Sequence, residues 1–183
     1  MKWLFRTILG ILLVFVIFCT VGFFLPATQI VETHLSVETY PEEVFDELSD
    51  LRGYPAWFHG FEDIEEGQII FAGTERGVGQ SAAWRQKSGN GDNFGNIDIL
   101  QIQTDELVSL RHEFGPHIIA ITYALEGDEA NEAVLLLARY EAPLGGFPYL
   151  SRLRGKLAAG GVANDLDISL QKLKTILEAK TTQ

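Results

Sequence analysis

The chain has 183 residues, 25 acidic against 14 basic side chains and a formal net charge of −11. That is enough chain for one domain with a real core, and so acidic a balance argues against nucleic acid, whose phosphates it would repel. The single cysteine, Cys19, excludes a disulfide framework and thiolate zinc sites.

The first element is Ile8–Leu25, an uncharged run of 18 residues directly behind Lys2 and Arg6. As a helix it rises about 27 Å, close to the hydrocarbon thickness of a bilayer. A secretory signal peptide usually carries an apolar core of about 7–15 residues and then a small-x-small cleavage site. Here the run is longer and leaves through Phe23, Phe24, Leu25 and Pro26. A cut after Ala27 would place Leu25 where a small residue is needed, and Phe18 stands where a lipoprotein signal needs one before Cys19. A retained anchor is the better reading, with a cleaved signal as its alternative. With both basic residues ahead of the run and Glu32 the first charge behind it, the N-terminus is expected in the cytoplasm and the rest on the far side, periplasmic or extracellular. The expected division is residues 1–28 as anchor and stalk and 29–183 as one domain. All 25 acidic and 12 of the 14 basic residues lie behind the run, a balance of −13 that argues against broad adhesion to an anionic membrane surface.

Pro26–Gln29 reads as a short stalk and Ile30–Val37 as a first strand. Pro41 opens a helix whose first turn holds Glu42 and Glu43, complementing the helix dipole, while Val44, Phe45 and Leu48 supply its apolar side. Leu51–Trp57 reads as a second short helix or turn. Strands are then predicted at Gln68–Ala72, Gln80–Gln86, Phe94–Gln103, Leu107–Phe114, His117–Leu125 and Ala133–Tyr140. Turns fall at Gly73, Gly77, Gly79, Gly89, Gly91, Gly115-Pro116, Gly127-Asp128 and Asn131. Turn signals this close together imply an antiparallel meander. A Gly- and Pro-rich join, Pro143–Pro148, leads to a C-terminal helix in which Leu166, Leu170, Leu173 and Leu177 form one apolar stripe.

A helix with one apolar stripe must bury it, and the concave face of a twisted sheet offers the place. The expected fold is therefore α+β: a helix grip, with an antiparallel curved sheet of six or seven strands wrapped on the long C-terminal helix, preceded by a single transmembrane helix. A straight helix on a curved sheet leaves room for a cavity. Residues 151–183 carry a local excess of three positive charges through Arg152, Arg154, Lys156, Lys172, Lys174 and Lys180. That fits a solvated helix face, or a docking face for lipid headgroups or an acidic partner.

In order and spacing the chain resembles the SRPBCC, or START-like, superfamily, and within it the polyketide cyclase/dehydrase-type domains. The residues that carry the resemblance are Tyr40-Pro41-Glu42-Glu43-Val44-Phe45, Leu51-Arg52-Gly53-Tyr54-Pro55-Ala56-Trp57, Gly77-Val78-Gly79 with Trp84, and the Leu166–Leu177 helix. The apolar run ending Val21-Gly22-Phe23-Phe24-Leu25-Pro26 is also similar to anchors of bacterial members. The resemblance implies a deep apolar cavity for lipids, sterols, polyketides or other hydrophobic molecules, and no single activity.

Among candidate site residues, His112 is the most informative. Alternation along Leu107–Phe114 places Val108, Leu110, His112 and Phe114 on the inward face, and Ser109, Arg111 and Glu113 outward. An inward imidazole can polarise a carbonyl or move a proton, and it can equally be a hydrogen-bonded core group. Tyr54, Trp57, Trp84 and Tyr123 combine apolar bodies with polar tips suited to a pocket wall or to the core. The expected ligand-binding set is Trp57, Trp84, Leu110, His112, Phe114 and Tyr123, with His112 and Tyr123 the candidates for acid/base work.

No metal or cofactor is expected. His34, His59, His112 and His117 show no metal-ligand spacing, and Gly77-Val78-Gly79 lacks the context of a dinucleotide loop. No serine sits in a Gly-x-Ser-x-Gly setting, and Glu42/Glu43 and Glu65/Glu66 read as solvated pairs. The expected function is a membrane-tethered binding domain for a hydrophobic small molecule or lipid. The alternatives are a cyclase/dehydratase-type enzyme on an apolar substrate and a protein-interaction module on the same fold.

Overall fold

A computed structural model describes residues 2–62, 64, 68–88, 91–115, 117–128, 133–147 and 149–181. The Glu65/Glu66 pair and the turn residues Gly89, Pro116, Asn131 and Pro148 lie outside them. The elements are α1 (Lys2–Phe24), β1 (Thr28–Val37), α2 (Pro41–Leu48), α3 (Tyr54–Trp57), a single 3-10 turn (His59–Phe61), β2 (Ile69–Gly73), β3 (Gln80–Ser88), β4 (Gly91–Gln103), β5 (Leu107–Phe114), β6 (His117–Asp128), β7 (Ala133–Pro143) and α4 (Leu150–Thr181). They form two compact units, Met1–Gln29 with Pro143–Ala159, and Ile30–Ala142 with Gly160–Gln183.

In the larger unit the strands make one seven-stranded sheet in the order β1-β7-β6-β5-β4-β3-β2. From β2 to β7 each neighbour pairs antiparallel, as the closely spaced turns require. The register slips at Ile99/Gln101, a bulge that bends β4 and adds to the curvature of the sheet. Three glycines read as turns belong to strands instead, Gly73 ending β2 opposite Gln80. Gly91 pairs with Ser88, and Gly127 and Asp128 continue the ladder opposite Val134 and Ala133.

Alternation does what the sequence predicts on β5, where Val108, Leu110 and His112 are buried and Arg111 faces out to Asp98, its cross-strand partner, at 2.8 Å. On the outer face of β7, Arg139 is likewise held by Glu141 and Glu32. Burial of Leu166, Leu170, Leu173 and Leu177 completes the core of this unit. Polar ties fix that half of α4 along its flanks. Lys174 Nζ donates to Ser36 O at 2.9 Å, Lys180 meets Glu47 at 2.6 Å, and Lys172 pairs with Glu62.

The smaller unit is built on α1, which is long and apolar enough to cross a membrane. Its one buried residue is Gly22, where a Cβ would stand only 2.5 Å from Cβ of Tyr149. Glycine is needed there because another side chain occupies the space.

Candidate functional site

Three buried polar side chains from three elements meet inside the larger unit. Tyr54 of α3 is hydrogen-bonded to His112 Nε2 of β5 at 3.1 Å and to the Tyr123 hydroxyl of β6 at 3.2 Å. All three are essentially inaccessible to solvent. Burial depresses the imidazole of His112 to a pKa of about 3, because a low-dielectric interior penalises the charged form. The same burial pushes the Tyr54 and Tyr123 phenols up. At neutral pH all three side chains are uncharged.

Donor counting assigns the direction of the hydrogen bonds. If Tyr123 donates to Tyr54 and Tyr54 donates to Nε2, both hydroxyl protons are used. The proton of the ring then lies on Nδ1, which has no partner among the described residues. In the opposite direction the Tyr123 proton and the Nδ1 lone pair would both be stranded. The indole Nε1 of Trp57 is likewise buried and without a partner, and its ring packs on Tyr54 at 4.5 Å and Tyr123 at 5.8 Å. The cluster thus contains two unanswered N–H donors.

A cavity of about 230 Å³ lies on the other side of Phe58. Its walls are Phe58, Ile119 and Ile121 of β6, and Val162 and Leu166 of α4; His59, Gly60, Tyr140, Asp165 and Ser169 complete it. The loop closing it is pinned by the backbone N–H of His59, which donates to Ser169 Oγ at 3.0 Å, while that hydroxyl donates to Asp165 O at 2.7 Å. His59 also stands 3.0 Å from Glu62, which lies outside the ring of cavity residues. Phe58 is the partition: its ring stacks on Tyr54 at 4.8 Å, meets His112 at 5.2 Å, and faces the cavity.

The residues singled out from the sequence sit behind that partition. His112 and Tyr123 join Tyr54, Trp57 covers them, and Phe114 lies 6.1 Å from the imidazole. Trp84 packs on Phe114 and Phe61, and Leu110 is fully buried opposite Ile121. None of the six lines the cavity itself. Sequence reasoning missed Phe58, Ile119, Ile121, Tyr140, Val162 and Leu166 as wall residues. The available signals were that Ile119 and Ile121 share the inward parity of Tyr123, and that Val162 stands one turn before Leu166 in the leucine stripe.

A second, larger groove of about 360 Å³ is lined by Glu43, Asp46, Glu47, Asp50, Gly53, Arg76 and Lys180. It is charged and internally paired, Arg76 with Asp46 at 3.0 Å and Lys180 with Glu47, so it offers little to an apolar ligand. Among the described residues no group of His, Cys, Asp and Glu could hold a metal ion.

No family profile and no curated protein sequence matches the chain. Solved structures do. The Zhui aromatase/cyclase from Streptomyces sp. R1128 aligns over 84% of this chain and 96% of its own, at 13% identity and a TM-score of 0.62. SA2116 from Staphylococcus aureus, a protein of unknown function, aligns over 85% and 98%, at 15% identity and 0.61. DynU16, a protein of the dynemicin biosynthetic locus, aligns at 20% identity and 0.54 over 82% of this chain, which spans only 47% of its length. The fold is the helix grip. The cavity described above draws its walls from β6, β7, α4 and the segment Phe58–Gly60.

Proposed function

We propose that this helix-grip domain binds a slender apolar molecule, a lipid chain or a small ring system, in the cavity beside Phe58, and that α1 tethers it to a membrane. The observation that carries the reading is the cavity: its walls are Phe58, Ile119, Ile121, Val162 and Leu166, with polar groups at the edge, as in most small-molecule sites. At about 230 Å³ it falls below the roughly 300–1,000 Å³ usual for drug-sized ligands, which favours a narrow guest. The two unanswered donors, His112 Nδ1–H and Trp57 Nε1–H, suit a guest whose inner end bears a hydrogen-bond acceptor and displaces the Phe58 ring. Retention of α1 is supported by Arg152, which donates to the carbonyls of Phe23 and Leu25, bonds that a cut after Ala27 would remove.

The test is native mass spectrometry of the full-length chain released from detergent micelles. One oxygen-bearing apolar adduct is expected on the wild type and none on Val162→Trp or Ile119→Trp, which fill the cavity. No adduct on the wild type, or the same adduct on the filled variants, would overturn the reading.

An enzyme of the ring-forming class is the second reading. It is favoured by the Tyr123–Tyr54–His112 relay and by the aromatase/cyclase among the similar structures. Against it, general acid–base catalysis works best with a pKa near the operating pH, and burial holds His112 at about 3.

A further inference from the structure

The smaller unit contains an apolar surface that neither the cavity nor the tether explains. Phe147 is 71% exposed and Leu157 78% exposed. By helical periodicity Leu157 lies on the same side of α4 as Leu150 and Leu153. Next to this stripe stand the exposed cations Arg154 and Lys156.

The segment is built onto the C-terminal end of α1. Tyr149 holds a left-handed backbone (φ 64°), a conformation that persists in a bulky residue only when its surroundings fix it. Those surroundings are Gly22, whose missing side chain makes room, and the Phe23 ring at 6.0 Å. Arg152 donates to Phe23 O at 3.2 Å and Leu25 O at 3.1 Å, and its guanidinium lies over the Tyr149 ring at 4.8 Å. Phe147 reaches further and meets the Phe15 ring edge-on at 6.3 Å. From Phe23 back to Phe15 a helix falls by about 12 Å, most of the depth of one leaflet's hydrocarbon, about 15 Å.

We propose that residues 144–147 and 149–157 form a second membrane-seated element, with Phe147, Leu150 and Leu157 in the acyl region of the leaflet that the C-terminal end of α1 enters. Arg154 and Lys156 then meet its phosphates. The inference rests on reading α1 as a retained span. Its occupant is lipid because the apolar surface is continuous with α1 through Phe15–Phe147 and Phe23–Tyr149. The order of residues also matches an interface: a phenylalanine deepest, then a tyrosine, then an arginine answering the last helix carbonyls. Amphipathic interfacial segments combine such an apolar side with basic residues.

The test uses the full-length chain in vesicles of phosphatidylcholine and phosphatidylglycerol in equal parts. Single cysteines are placed by Phe147→Cys, Leu157→Cys, Phe15→Cys and Glu75→Cys in a Cys19→Ala background and labelled with nitrobenzoxadiazole. Lipids carrying a nitroxide on the acyl chain should quench the labels at 15, 147 and 157 several-fold more than the label at 75. Quenching at 15 with labels at 147 and 157 behaving like the one at 75 overturns this inference and leaves the anchor standing. No excess quenching at 15 overturns the anchor reading, and the inference with it. Leu157 is far enough from the Phe15 contact that its label reports even if Phe147→Cys disturbs the packing.

Discussion

Between pH 6.5 and about 5, acidification should destabilise the fold chiefly through His112. Its imidazole is held at about 3 by burial, against 6.5 for a free histidine. Between those values the unfolded chain binds a proton that the folded chain refuses, so stability rises with pH across this window. The contribution is complete above pH 6.5 and is lost progressively as the pH falls towards 3. The slope is about 1.4 kcal/mol per pH unit, which amounts to about 2 kcal/mol between pH 6.5 and about pH 5. The groups facing the ring are Tyr54, Phe58 and Phe114, with Ile97 and Ile119 across the strand pairs and Tyr123 behind Tyr54. None of them is charged in this range, the two phenols because burial raises them. Asp50 and Glu62, held below the usual carboxylate range, also lose stability in acid, but only at lower pH. Urea unfolding of the full-length chain in micelles, followed by tryptophan fluorescence, gives the slope. The same measurement on His112→Phe removes the one proton and keeps the carboxylates. If His112→Phe loses as much stability as the wild type over this interval, the reasoning fails.

Two further outcomes follow from the same interior. Tyr54→Phe should cost about 2–5 kcal/mol, since it strands both His112 Nε2 and the Tyr123 hydroxyl, whereas Tyr123→Phe, which removes only the end of the relay, should cost about 0.5–1.5 kcal/mol; equal urea midpoints would refute the assigned direction. Gly95→Ala places a Cβ 2.2 Å from the buried Trp84 ring, itself wedged against Phe61 and Phe114. It should cost about 1–3 kcal/mol by overpacking and alter the near-ultraviolet dichroism of the indole, and an unchanged spectrum and midpoint would count against that packing.

Much of this architecture is written locally. The strands alternate, and the positive-φ glycines Gly73, Gly77 and Gly79 mark the β2–β3 turn as the sequence suggests. Gly127-Asp128 misleads because glycine and aspartate signal turns by backbone preference, while here the ladder to Val134 and Ala133 outweighs that preference. The helix predicted behind the Pro143–Pro148 join forms as α4, its first half against local propensity. Gly155, Gly160 and Gly161 lower helix propensity, and no single leucine stripe runs through them; Gly155 is there because Leu144 and Gln29 crowd it, a reason that exists only in three dimensions. The site shows the same split. That His112 points inward is legible from period-two alternation, but its partner Tyr54 lies 58 residues earlier. The cavity wall is illegible in principle, since Ile119, Ile121 and Leu166 have the chemistry of ordinary core.

The buried relay also bears on what kind of ligand could turn binding into chemistry. For His112 to accept a proton near neutral pH, its pKa must climb from about 3 back towards 6.5, which requires roughly 5 kcal/mol of new interaction with the imidazolium. Tyr54 cannot supply it, being a neutral hydroxyl whose own ionisation burial opposes. Among the described residues the ring and hydrogen-bond neighbours of the imidazole are Tyr54, Phe58 and Phe114, none of them charged. Only a guest carrying a negative charge past Phe58 would provide that much, since an opposite charge at close range is what raises a histidine in a dry interior. A neutral lipid or ring system would instead meet a neutral imidazole that donates from Nδ1 and holds its acceptor without taking its proton. Under the proposed binding function, neutral guests would be held and proton transfer would be confined to anionic ones.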